Sequence, residues 1–514
     1  MTSPTAAAQE RLRAVTDVLV AEVRDGAGRH EYDGVVPDLS PGAVRAGLAR
    51  LGGAELPDAH DERHLAAAER RLRLELGEVQ LHRRSPRPLL AALDLSVYDR
   101  PYAPPGERAE ARARHLAGWP AAIDAALTSL DLVPAAAAEA LLPAVRGAAA
   151  VVRAGEPHGG AALAAHARLL THLERCTGTG DPDPALGAPG LTALLEAVEG
   201  GDVDLPSVAA AADAERRRLR DLLDAAADRI APGTAADDVV ARLVRDHPGP
   251  AGVLDEARRL TGEVVAFVRE RGLLEHLDGE CRVEASPPSR RWATAMLSWA
   301  GPYEPDAPST YGITPPDPSW PPQRQDQWLT AFSRTTLPAT TAHEVAPGHF
   351  AHGRALRRVR GDVRRTLHSP AFVEGWAHYA EELMVEEGFR GEDPRFAIGV
   401  AMKALLRVTR VRAAIGVHTR QLTVDEAAGL FAREAFLQGP AARGEALRAV
   451  IDPTYGRYTT GKLALRALRE RARERWGPGF SPRRFHRAVL ALGAPPPALL
   501  DTALVDTALE EDRA

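Results

Sequence analysis

The sequence predicts a mainly α-helical protein with one small β element. Three observations lead there. Long stretches of alanine, leucine, glutamate and arginine place apolar residues at three- and four-residue steps, the spacing of a helix with one buried face. Glycine, proline and aspartate clusters interrupt those stretches at intervals fit for helices rather than strands. Near Cys281 the texture changes, and "CRVEASP" and "WATAMLSWAG" read as short strands before a proline-rich run.

Taken in order, "MTSPTAAAQERLRAVTDVLVAEV" carries charges where a signal peptide needs an unbroken apolar run, so it reads as an amphipathic helix. "LVPAAAAEALLPAVRGAAAVV" contains Pro134, Glu139, Pro143 and Arg146 and is too weakly apolar to span a bilayer, which leaves buried helices. "ERRRLRDLLDAAADRI" sets Leu219, Leu222, Leu223 and Ala226 on one stripe, with its arginines on a solvated face opposite. Breaks fall at 177–190, 199–207 and 245–252. No fixed period recurs, which argues against a solenoid. The plan that results is a helical N-terminal region over 1–275, walling a cleft, and a catalytic region over 276–514. The second region begins with the β element around 281–315 and returns to helices after Thr335.

Composition narrows the function. Hydrophobic residues make up 45% and charged residues 26% of 514, the balance of a soluble globular chain. Arginine almost replaces lysine, which occurs only as Lys403 and Lys462. With a net charge of -6 there is no basic domain to neutralise phosphates, so nucleic acid is not an expected partner, and neither is a membrane. Two cysteines, Cys176 and Cys281, are too few for a disulfide framework or a thiolate metal cage and fit a reducing cytoplasm.

Chemistry concentrates in "TTAHEVAPGHFAHG". His343 is followed by Glu344, the start of a zinc-peptidase pattern, but Pro347 stands where a second histidine belongs and the next histidine is His349. On a regular helix, residues six apart lie about 240° around and about 9 Å along the axis, too far to share an ion. Pro347 and Gly348 between them are the residues that bulge a helix and swing His349 back. Hydrolytic zinc sites use three protein ligands, and a glutamate outside the ligand set takes the proton from water. "FVEGWAHYAEEL" supplies the third ligand as Glu374, on a helix where His378 and Glu381 or Glu382 share its face; Gly375 permits close helix approach and Trp376 anchors the core.

"HEVAPGHF", "FVEGWAHYAEEL", "LLRVTRVRAAIGVHTRQLTVDEA" and "YTTGKLALRAL" together resemble the bacterial domain-of-unknown-function 885 family, from about Cys281 to Leu500. That family is grouped with zincin-like metallopeptidases and is similar in outline to the carboxypeptidase Taq and thimet oligopeptidase groups. The resemblance implies a zincin-like body, with His343, His349 and Glu374 as metal ligands and Glu344 as general base. Arg407, Arg410 and His418 fall where the family has a paired-arginine helix ending in leucine-histidine. Two departures stand out: His352 replaces a frequent glutamine and rivals His349 as a ligand, and Ala414 replaces an aspartate beside His418.

Mechanism suggests further parts. An oxyanion needs a donor, which Tyr458 in "YGRYTTGKL" offers first and His418 second. Arg407 and Arg410 can clamp a substrate carboxylate, and a strand at Tyr311 can pair with an extended peptide. The expectation is one divalent ion per chain, zinc ahead of manganese, cobalt or iron, and carboxypeptidase-like hydrolysis of a peptide or small amide substrate in the cytoplasm. A metal-dependent non-peptidase enzyme acting on a specialised metabolite, and an inert scaffold with a degenerate site, are the alternatives.

Overall fold

Aspartate and proline punctuation opens the helices where the sequence places it. Asp204, for example, accepts a hydrogen bond from Ser207 N–H, and Pro206 begins the helix Leu205–Ile230. The structure, a computed structural model, describes residues 4–287, 290, 291 and 293–504. Among them are 23 α-helices and one three-stranded sheet, in the mainly α class expected. The N-terminal helix spans Pro4–Thr16, and Met1–Ser3 of the expected segment lie outside the described residues. No helix among the described residues is long and apolar enough to cross a membrane.

The sheet contains β1 (Cys281–Ala285), β2 (Ala295–Ser298) and β3 (Ser309–Ile313) in the order β1-β3-β2. β1 runs parallel to β3 with Cys281 opposite Ser309, and β2 runs antiparallel to it with Ala295 opposite Ile313. Trp292, the first residue of the expected second strand, lies outside the described residues.

Four helices matter most to the site: Thr336–Glu344 (the base helix), Pro370–Glu386 (the carboxylate helix), Arg395–His418 (the arginine helix) and Arg457–Trp476 (the tyrosine helix). Their apolar faces join the sheet in a core containing Tyr311, Leu337, Phe372, Trp376 and Leu465. The N-terminal segment is built into the same body. Leu219 and Leu223 of Leu205–Ile230 are fully buried against Ile398, Ala401 and Leu405 of the arginine helix. One arginine of the "ERRRLRDLL" run leaves the solvated face: Arg218 bonds both Glu215 and Glu382 at 2.8 Å.

Two helices meet where neither has a side chain. A Cβ on Gly375 would lie 2.6 Å from Gly461 Cα, and one on Gly461 would lie 2.1 Å from the Ala371 carbonyl oxygen. The sequence assigned the close approach of Gly375 to the histidine helix; the structure gives it to the tyrosine helix instead. Only glycine fits at that crossing.

Candidate metal centre

The pattern "HEVAPGH" brings its histidines together by a break rather than a bulge. The base helix ends at Glu344, and a second helix, His349–Leu356, begins four residues after Val345. Gly348 turns so tightly that a Cβ there would sit 1.8 Å from His343 O. Its N–H bonds Ala342 O at 3.1 Å, and Trp376 Nε1 donates to Pro347 O at 2.9 Å, pinning the break from the carboxylate helix. The imidazoles of His343 and His349 consequently face each other with centroids 4.7 Å apart.

Glu374 enters from the carboxylate helix. Its Oε2 lies 3.6 Å from His343 Nε2 and 3.4 Å from His349 Nε2. One ligating atom from each of the three residues falls within 4.8 Å of the others, and no other such group occurs among the described residues. Two ligands at zinc's bond length of about 2.0 Å in a tetrahedral shell are about 3.3 Å apart, so the triad fits that ion. Two imidazoles and one carboxylate are also the ligand chemistry zinc takes in hydrolytic sites.

Around the triad, each partner has an orienting role. His343 Nδ1–H donates to Glu381 Oε1 at 2.6 Å, leaving Nε2 to face Glu374. A carboxylate behind a ligating histidine fixes its tautomer and raises its basicity. Arg407 Nη1 is 2.8 Å from both Glu381 oxygens. Burial opposes ionisation of Glu381, but Arg407 and the neighbouring histidines overcome it and hold the carboxyl well below the usual range. Burial and Arg407 also disfavour a charged His343, yet Glu374 and Glu381 outweigh them and hold its pKa up at about 9. The pocket is built for positive charge.

Glu344 is buried, outside the triad, and accepts a hydrogen bond from Leu297 N–H of β2 at 2.8 Å. Tyr458 O–H donates to Glu374 Oε1 at 3.0 Å, its ring centroid 6.5 Å from that of His343. Burial and the Glu374 charge raise its pKa, so the phenol keeps its proton. Four of the residues expected at the site, His343, His349, Glu374 and Tyr458, therefore meet, and Glu344 follows His343 at the end of the base helix. Glu381, seven residues after Glu374 on the same helical face, was legible only as one of two candidates, and nothing in the sequence signalled the Leu297 amide.

Four expected residues take other places. His418 is fully buried, with Nε2–H donating to Ala449 O at 2.9 Å and Nδ1 accepting from Leu186 N–H at 3.3 Å. It stands eleven residues beyond Arg407, about 16 Å along the helix, and has no free group for an oxyanion. Arg407 is committed to Glu381. Arg410 forms a two-bond pair with Glu445, both at 2.8 Å. The expected two-arginine clamp is thus already closed on the protein's own carboxylates. Tyr311 lies in the central strand, paired on both sides and fully buried, so no peptide can add there. His352 packs among Trp299, Phe372 and Trp376 and is outside the triad, with burial holding it neutral. His378 is likewise buried and neutral, 3.4 Å from Arg407 Nη1.

The family model described as "Bacterial protein of unknown function (DUF885)" matches residues 22–504, and the chain belongs to that family. No curated protein matches it. Its fold is similar to that of a candidate lipoprotein of unknown function from Shewanella oneidensis, with a TM-score of 0.77 at 18% identity over 98% of this chain and 100% of that one. A candidate lipoprotein from Colwellia psychrerythraea is similar too, with a TM-score of 0.81 at 16% identity over 98% of each chain.

Proposed function

We propose that this protein is a zinc-dependent hydrolase of peptide or peptide-like amide bonds. The observation that supports the reading best is the convergence of His343, His349 and Glu374 within 4.8 Å beside a buried glutamate that is not one of them. Those three residues would hold one zinc ion, which when bound supplies Lewis acidity to a water and to the scissile carbonyl.

The chain's own groups do the rest. Glu344, steadied by the Leu297 amide, accepts the proton that the attacking water loses and delivers it to the leaving amine. Tyr458 carries a proton that its surroundings keep in place, and its hydroxyl turns from Glu374 to donate to the developing oxyanion. Glu381 and Arg407 keep the His343 ring from rotating, so the ligand set is ordered before zinc arrives. The free thiols Cys176 and Cys281 accord with action in a reducing compartment such as the cytoplasm.

The test is Glu344→Gln in protein analysed for metal. Both wild type and variant should hold one equivalent of zinc, while turnover of a peptide library falls by roughly 10²–10⁴-fold in the variant. Full activity in Glu344→Gln, or no zinc in either protein, would overturn the proposal.

A further inference from the structure

Charges beside the metal centre are almost all spoken for. Arg407 holds Glu381 at 2.8 Å, Arg410 holds Glu445 at 2.8 Å, and Arg457 holds Asp452 at 2.7 Å. Arg448 shares Asp452 at 3.6 Å. Of the nearby carboxylates, Glu344 is engaged by the Leu297 amide, and Glu381 by His343 and Arg407. Lys403 is the exception. It is half-buried and makes no hydrogen bond or ion pair with any described residue.

Its position follows from how two helices run together. The arginine helix touches the base helix at Gly399, where a Cβ would lie 2.0 Å from Thr335 O. Two turns later, Arg407 Nη2 comes within 3.3 Å of His343 Nδ1. Lys403 falls midway between these contacts, level with Ala339 and next to the level of Thr340. Thr340 is the one residue of the base helix that keeps partial exposure, and it stands one turn before Glu344. Thr340 and Lys403 both keep partial exposure at this level of the helix pair, one turn before the proposed base. Glu344 and Glu381 both act on Lys403 electrostatically without pairing to it.

An ammonium withdrawn from water without a counter-charge is costly, which is why such groups are normally paired. Burial first, and then Arg407, push the Lys403 pKa down to about 8, against the opposing pull of Glu381 and Glu344. Its three donors on a flexible stem suit a carboxylate that arrives from outside.

We infer that Lys403 is the substrate-carboxylate receptor of this site, and that the hydrolase acts on amides bearing a free carboxylate near the scissile bond. This rests on the hydrolase reading above and deepens it. The carboxylate comes either from a peptide's C-terminus or from an aspartate or glutamate side chain, and Lys403 recognises what the two share.

Binding, not turnover, tests the inference, so that it fails separately from the hydrolase reading. The zinc-loaded Glu344→Gln protein is titrated with acetylated dipeptides as free acids and as C-terminal amides, each with and without an acidic side chain. Carboxylate-bearing probes should bind about tenfold or more tightly than neutral ones, the scale of one charge-assisted hydrogen bond. Adding Lys403→Met should bring that preference below threefold, whereas Lys403→Arg should keep it. A preference for terminal acids assigns the chain end as the source, and one for acidic side chains assigns those. Equal binding of acids and amides, no binding by any probe, or a preference that survives Lys403→Met would overturn the inference. Loss of turnover in wild type with an intact binding preference would count against hydrolysis alone.

Discussion

Among 64 basic residues only two are lysines, and they occupy opposite kinds of surroundings. Lys462, fully buried, bonds Glu215 and Glu382, the latter at 3.2 Å, and Arg218 and Arg466 reach the same two carboxylates. Lys403, half-buried, bonds nothing described. The first cluster ties Leu205–Ile230 to the carboxylate and tyrosine helices, and each of its charged groups has an opposite partner within it. The second lies on the approach to Glu344 and has one charge left over. Closed electrostatic networks hold a body together, whereas an open one awaits a ligand.

Breaking the closed network should have the largest effect on stability. Lys462→Met takes from Glu215 and Glu382 the one fully buried cation of the cluster, leaving them to the partly exposed Arg218 and Arg466, and should cost about 3–5 kcal/mol of stability in denaturant unfolding. An unchanged midpoint would dissolve the contrast between the two lysines.

Next in size is the carboxylate joining the two regions, Glu381, which shares a helix with Glu382 but faces the proposed metal centre. Glu381→Gln keeps the shape and an acceptor for His343 while removing the charge. Zinc affinity, measured by competition with a chelator, should fall roughly 10–100-fold. An unaltered affinity would make Glu381 part of the scaffold and not of the metal centre.

The smallest effect concerns Glu199, a carboxyl whose sole hydrogen bond among the described residues comes from the Thr460 hydroxyl at 2.6 Å. Burial raises its pKa to about 7. An unfolded glutamate titrates near 4.3, so between these values the folded protein binds the extra proton and stability declines as pH rises. The loss is complete above about pH 7. Glu199→Gln should remove it, making the variant more stable than wild type at pH 8 and indistinguishable near pH 4; the shift alone corresponds to about 3–4 kcal/mol, which solvent screening of this half-buried group reduces to on the order of 1 kcal/mol. Thermal unfolding at both pH values checks this, and parallel pH profiles would refute it.

Much of this was legible in the sequence because the causes were local. Glycine and proline clusters ended helices where they stood, and "HEVAPGH" with "VEGW" named His343, Glu344, His349 and Glu374. The arginine helix was legible as a helix but not as chemistry. Whether Arg410 is free depends on Glu445, 35 residues away, and whether Arg407 is free depends on Glu381 choosing the metal face over the Glu382 side. Tyr311 had a strand's pattern, but the order β1-β3-β2, which buries it, is set by long-range pairing. His418 ended its helix as expected and found its partners in Leu186 and Ala449, far along the chain.

The glycine crossing of the carboxylate and tyrosine helices has a consequence for the gap between the proposed metal ligand and the proposed oxyanion donor. Glu374 immediately precedes Gly375, and Tyr458 comes three residues before Gly461, so both groups flank the fulcrum of two touching rods. Their separation is set like the jaws of pliers, by bare backbone at the pivot. A single added methyl there would open the jaws without touching either tip.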